Sequence, residues 1–167
     1  MSTDKSAVAA DLASIASDAV QRLSSIVGEG ALTASAQAGK ATRESLYARA
    51  YGLYQKAHYR QALPLFTRLA ALNRLERRYV LGLAATQQML GDHAQALTSY
   101  LTALALQPMD PWPMLRCAEC LWAQGRSVEA IEALALARQL CESGYQSEAM
   151  AYAVILDARF SAHHKGE

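Results

Sequence analysis

VLGLAATQQMLGDHAQALTSYLTALAL, residues 80–106, is the middle of three copies of one frame. LYARAYGLYQKAHYRQALPLFTRLAAL precedes it at 46–72, and MLRCAECLWAQGRSVEAIEALALARQL follows it at 114–140. Ala62, Ala96 and Ala130 stand 34 residues apart in succession, as do Ala50, Ala84 and Ala118. Leu63, Leu97 and Ile131 keep the same period, and so do Phe66, Tyr100 and Leu134, and Leu72, Leu106 and Leu140. A fixed period of this size marks a repeat array, in which each unit buries its apolar face only against its neighbours. Small residues at two fixed places let two helix backbones approach, and the large residues fill the space between them. The turn inside each copy falls at Ala57-His58-Tyr59, Gly91-Asp92-His93 and Gly125-Arg126-Ser127. Glycine there supplies the left-handed conformation that ends a helix.

This frame resembles the tetratricopeptide repeat, a helix–turn–helix of 34 residues. The resemblance implies an all-α fold: a solenoid of three tandem repeats, 43–76, 77–110 and 111–144. Alanine replaces the usual glycine at the eighth repeat position in all three copies, and Pro108 is the only closing proline. Pro64 falls inside the second helix of repeat one, where a proline costs about 3 kcal/mol. A kink or a late helix start is expected there. Pro108, Pro111 and Pro113 require a rigid connection, with Pro111 and Pro113 at or just before the next helix start.

The flanks read differently. Residues 1–42 are rich in Ser, Ala and Gly. Val8, Leu12, Ile15, Ala19, Leu23 and Ile26 step by three or four and predict an N-terminal helix with one apolar face. That face either docks a second copy or a partner, or lies back on the array. Gly28, Gly30 and Gly39 predict a flexible linker, and Thr42 an N-cap for the helix that follows. At the other end, Ala149, Tyr152, Ala153, Leu156 and Phe160 share one helical face. A solenoid needs its last repeat covered, so 145–162 is read as a C-terminal capping helix and 163–167 as a frayed tail.

Composition narrows the function. The chain has 167 residues, is 52% hydrophobic, and carries a formal charge of +1 from 16 basic and 15 acidic residues. Such balance gives no electrostatic footprint for nucleic acid or an anionic membrane surface. Asp11 and Asp18 interrupt the N-terminal apolar positions, so no signal peptide is read, and no stretch is long enough to span a bilayer. Three cysteines fit a reducing compartment. A soluble, intracellular protein is expected. No catalytic constellation stands out. Cys117-Ala118-Glu119-Cys120 lacks the two further ligands a zinc site needs, and inside a helix both cysteines act as small apolar residues. His58 and His93 fall in turns, and no glycine-rich phosphate loop is present. The chain is read as a non-enzyme without cofactor or metal.

The surface able to carry function is the inner one, lined by the first helix of each repeat. Steps of three and four select Glu44, Tyr47, Tyr51 and Tyr54 in repeat one, and Arg78, Leu81, Ala85 and Gln88 in repeat two. In repeat three they select Trp112, Leu115, Glu119 and Trp122. Aromatic side chains give large contact area at low entropy cost, so this line suits an extended peptide with apolar anchors. Leu81 and Leu115 are also candidates for the inter-repeat core.

Leu46-Tyr47 with Tyr51 and Tyr54, Leu81-Gly82-Leu83-Ala84-Ala85 ahead of Met89-Leu90-Gly91, and Ala118-Glu119-Cys120-Leu121 ahead of Gly125 resemble the class II chaperones of bacterial type III secretion systems. The resemblance spans roughly 100 residues. It implies a cytoplasmic bacterial protein that binds hydrophobic translocator proteins and prevents their aggregation or premature association before secretion. It also implies a homodimer formed through the N-terminal region. A client segment with spaced proline and leucine anchors would lie in the groove, with Tyr47, Tyr51 and Tyr54 forming its pockets and Leu81, Ala85 and Gln88 the next contacts. Two rivals share the fold. A clamp for the acidic tail of a heat-shock protein needs Lys, Asn and Arg where Tyr47, Tyr51, Leu81, Ala85 and Glu119 stand. A general scaffold for assembling a bacterial complex remains open on sequence alone.

Overall fold

The computed structural model describes residues 29–144 and 146–164. Seven helices follow in order among the described residues: α1 (Glu29–Gln55), α2 (Tyr59–Leu72), α3 (Arg77–Met89), α4 (His93–Leu106), α5 (Pro111–Ala123), α6 (Ser127–Ser143) and α7 (Ser147–His164). The chain divides into two units at Glu44 and Ser45. In the first, the described residues are helical, and the Thr42 hydroxyl donates to the Ala38 carbonyl at 2.9 Å. The second contains the repeats: residues 45–55 of α1 with α2, then α3 with α4, then α5 with α6, and α7 after them.

The repeat frame is visible atom by atom at the turns. Gly91 and Gly125 have φ of +82° and +75°, and Ala57 takes the same left-handed conformation at +58°. The amides of His58, Asp92 and Arg126 each donate to a carbonyl five residues back, at 2.9, 2.9 and 3.0 Å. The amides of Ala57, Gly91 and Gly125 each donate three residues back, at 2.9, 3.0 and 3.0 Å. This pair of bonds closes a helix by satisfying two carbonyls that would otherwise be orphaned. Alanine thus does in repeat one what glycine does in the others, in a conformation that disfavours a Cβ. The next helices start on caps: Asp92 accepts from the Gln95 amide, and Asp110 from the Trp112 amide at 3.0 Å. Pro111 is the first residue of α5, where its missing N–H has no cost.

The core follows the small-residue rows. Ala50, Ala84 and Ala118 are fully buried, and so are Ala62, Ala96 and Ala130. Phe66, Tyr100 and Leu134 are buried beside them. The other apolar rows are only partly inside, because Leu72 is 58% and Ile131 52% exposed. On α7, Ala149, Ala153, Leu156 and Phe160 are buried in one cluster with Leu115, Leu121 and the inner side of α6.

Several expectations change. Gly30 and Gly39 lie within α1 and form no linker, and Thr42 is an interior helix residue bonded backwards, not an N-cap. α2 starts at Tyr59 without delay and runs through Pro64. Pro64 and Arg60 are both exposed, so water can satisfy the carbonyl that the proline leaves without a donor. α7 continues through His164, so the helix ends two residues later than expected. The apolar stripe from Val8 to Ile26 and residues 165–167 lie outside the described residues.

Candidate functional site

Periodic spacing sends Tyr47, Tyr51 and Tyr54 to one side of α1. Opposite them, α3 presents Arg78, Leu81 and Ala85 one turn apart. Between the two helices lies a cavity of about 250 Å³ whose walls are these six side chains together with Phe66 and Gly82. Tyr47 and Tyr51 stack, with ring centroids 6.1 Å apart and planes 14° from parallel. Tyr47 also meets Phe66 edge-on at 6.1 Å and Tyr79 at 5.6 Å. The Arg78 guanidinium lies 4.9 Å from the Tyr47 ring centre, and its Nε donates to Glu76 at 3.0 Å. Tyr47 is therefore anchored to the core, whereas Tyr51 is 46% exposed at the cavity mouth.

Phe66 and Gly82 escaped the inner-line reading. Phe66 belongs to a second helix and to a buried row, which marked it as core. It reaches the cavity because Gly82 has no side chain: a Cβ there would stand 2.2 Å from the Phe66 ring. The available signal was Gly82 itself, since the equivalent positions hold Ala48 and Arg116.

The aromatic line stops at repeat three. Leu115, one period after Leu81, is fully buried in the cluster that α7 closes, so its expected place in the groove is corrected to the core. Trp112 lies against Tyr152 of α7, with centroids 5.7 Å apart. Trp122 stacks on Phe160 of α7 at 4.2 Å. The capping helix takes up the faces that the solenoid pattern alone leaves open.

Gln88 and Glu119 belong to a polar network below that helix. The Tyr100 hydroxyl donates to Gln88 Oε1 at 2.8 Å, and Gln88 Nε2 donates to Glu119 at 3.1 Å. Arg116 donates to Glu119 at 2.8 Å and to the Tyr152 hydroxyl at 2.8 Å, and that hydroxyl donates to Glu119 at 2.6 Å. Burial alone would raise the Glu119 pKa, but the bonds from Tyr152 and Arg116, the Arg116 charge and the Gln88 amide together hold it below its ordinary value. Glu119 thus stays ionised and ties α3, α5 and α7 together.

Cys117 and Cys120 are buried, and desolvation pushes both thiols up to about 12. A thiol held protonated is neither a nucleophile nor a ready ligand. Among the described residues no group of three or more His, Cys, Asp or Glu could hold a metal ion. No described helix is long and apolar enough to cross a membrane.

Comparison with known proteins places the chain. A tetratricopeptide-repeat family model matches residues 89–140. The low calcium response locus protein H of Yersinia pestis is 32% identical over 113 residues, which is 68% of this chain and 67% of that protein. The Yersinia enterocolitica type III secretion chaperone SycD, solved with a peptide of the translocator YopD, superposes with a TM-score of 0.66 at 30% identity. That match covers 75% of this chain and 95% of SycD. Pseudomonas aeruginosa PcrH, solved with the chaperone-binding region of PopD, superposes with a TM-score of 0.68 at 29% identity over 75% of this chain and 95% of PcrH. The repeat frame, the helical architecture and these relatives agree: the chain belongs to the tetratricopeptide-repeat family of type III secretion translocator chaperones.

Proposed function

We propose that this chain holds an extended segment of a hydrophobic translocator on the face formed by α1 and α3, keeping the client from aggregating or associating prematurely before secretion. The cavity walled by Tyr47, Tyr51, Tyr54 and Phe66 carries the reading, because it is open, apolar and already formed. A cavity of about 150 Å³ lined by apolar side chains can take a benzene molecule, so about 250 Å³ has room for an anchoring client side chain. Tyrosine hydroxyls at the rim would bond the backbone that leaves the pocket. Gripping such a segment removes aggregation-prone surface from solution and requires no nucleotide. The reading places the protein in the bacterial cytoplasm, where the client waits for export.

Ala85→Leu tests it. Ala85 is half-buried at the cavity wall, so leucine fills the space without removing a core contact. Titration calorimetry with a peptide covering the chaperone-binding region of the cognate translocator should show affinity lowered about tenfold or more, a change of at least about 1.4 kcal/mol. Helical content and thermal midpoint should stay close to those of the parent. A folded Ala85→Leu variant that binds like the parent would place the client elsewhere.

A further inference from the structure

The helix that closes the solenoid has two apolar sides. Ala149, Ala153, Leu156 and Phe160 are buried on the inner side of α7. On the opposite side Ala151, Val154, Ile155, Ala158 and Ala162 are exposed, Val154 by 53% and Ile155 by 61%. Helical periodicity sets these residues on one side, and no charged residue stands among them. By contrast, α6 exposes Glu129, Glu132 and Glu142. A helix apolar on both sides is normally one buried on both sides. The charges of α7 stand at the borders of its outward side. Asp157, at one border, is paired to Arg138 of α6. Glu148 and Arg159 stand at the other, and neither makes a hydrogen bond or ion pair among the described residues. Three helical turns separate them, so they share that border about 16 Å apart.

We infer that the outward side of α7 pairs with the same side of a second copy of this chain, the two helices running antiparallel about a two-fold axis. The charged border names this occupant, because it is complementary to itself. A two-fold axis level with the midpoint between Glu148 and Arg159 brings Glu148 of each copy opposite Arg159 of the other, and symmetry forms the contact twice. Val154 stands within one residue of that midpoint, so the two Val154 side chains face each other across the axis. Ala151 and Ala158 hold the centre line of the outward side, where small side chains let two helix backbones approach. A single pair of helices about 24 Å long gives an interface at the low end of the known range, below about 1,200 Å² in total. The association is therefore weak and depends on concentration. No α7 residue walls the tyrosine-lined cavity, so the pairing does not use the client site.

Disulfide trapping on the full chain tests this. Cys117, Cys120 and Cys141 are buried and do not compete. Val154→Cys, with helical content unchanged, should cross-link between copies about tenfold faster than Val128→Cys, because pairing raises the effective thiol concentration. Val128 is the more exposed of the two, at 71%, so exposure alone predicts the reverse order. Adding Glu148→Arg or Arg159→Glu to Val154→Cys turns two attractions into two repulsions, and either should slow the cross-link about tenfold. An equimolar mixture of those two double variants restores both attractions, and mass spectrometry should find the mixed dimer as the main product. Val154→Cys cross-linking no faster than Val128→Cys refutes the pairing. Cross-linking that ignores the charge changes, or a mixture without excess of the mixed dimer, refutes the antiparallel two-fold arrangement. A dimer formed elsewhere on the chain cannot mimic the mixed-charge result, because neither border residue lies in it.

Discussion

Gly82→Ala and Gly52→Ala are the same chemical change on neighbouring helices, and the structure gives them opposite signs. In an open helix position alanine is favoured over glycine by about 0.8–1 kcal/mol. Gly52 is such a position, since a Cβ there would meet nothing within 4 Å. At Gly82 the new Cβ would lie 2.2, 2.6 and 2.7 Å from three atoms of the Phe66 ring. Carbon atoms settle about 3.5–4.0 Å apart, so the ring must retreat by more than about 1 Å. Phe66 is buried and already packed edge-on against Tyr47, which leaves the cavity as the space available to it. Overpacking a well-filled site costs about 1–3 kcal/mol. Set against the helix-propensity gain, Gly82→Ala should destabilise by about 0–2 kcal/mol. Gly52→Ala should stabilise by about 0.5–1 kcal/mol.

Urea unfolding followed by circular dichroism gives both numbers, and calorimetry with the translocator peptide gives the functional consequence. The two variants should differ by at least about 1 kcal/mol, and only Gly82→Ala should lose affinity. If Gly82→Ala is stabilised as much as Gly52→Ala, Phe66 has room to move and does not set the cavity floor. If it is destabilised but binds the peptide normally, the cavity is not where the client anchors.

Three further outcomes follow from single features. Ala57→Gly should stabilise by about 0.5–1 kcal/mol, because it relieves a left-handed alanine at φ +58°; an unchanged or lower urea midpoint would contradict this. Glu119 has a folded pKa below its ordinary value of 4.5, so its contribution is complete above that pH and is lost as pH falls through the folded value. Glu119→Gln should therefore unfold with a shallower pH dependence between about pH 5 and pH 3, and parallel profiles would show that the network carries no such linkage. Cys117 and Cys120, buried and with thiols near 12, should react with a thiol reagent at pH 8 only as fast as the protein opens; rapid labelling of the native protein would contradict that protection.

The period of 34 exposed most of the fold, because small residues at a helix crossing tolerate little variation: all six row alanines are fully buried. Six of the inner-line residues wall one cavity for the same reason, since helical periodicity fixes which side chains share a face. Leu81 and Leu115 show where that reasoning ends. They are equivalent in the repeat, yet Leu81 lines an open cavity and Leu115 is sealed in the core. What separates them is α7, which closes over Leu115 and contributes no residue to the walls of the cavity at Leu81. No local pattern around residue 115 encodes a helix that begins at Ser147. The start of α1 shows the opposite limit, since Gly30, Gly39 and Thr42 all lie inside the helix. Gly30, Gly39 and Thr42 are turn-favouring residues taken at their intrinsic preference, and a helix context overrides preferences of about 1 kcal/mol each.

A groove that holds an extended segment gains most when its walls are set before binding, because each side chain ordered on association costs about 0.5–1.5 kcal/mol. Here the walls are set from behind. Tyr47 is fixed by Phe66 and Tyr79, and Phe66 by the absent side chain of Gly82. Gln88 is fixed through Tyr100, and through Glu119 to Arg116 and Tyr152. The capping helix is thus coupled to α3 by hydrogen bonds that bypass the inter-repeat core. Substitution of Tyr152 by Phe removes one donor to Glu119 and leaves the ring against Trp112 in place. If the network stiffens α3, Tyr152→Phe should weaken peptide binding at the distant tyrosine-lined cavity while the helices stay formed. Unchanged binding would mean that α7 only closes the solenoid and that repeats one and two are rigid without it.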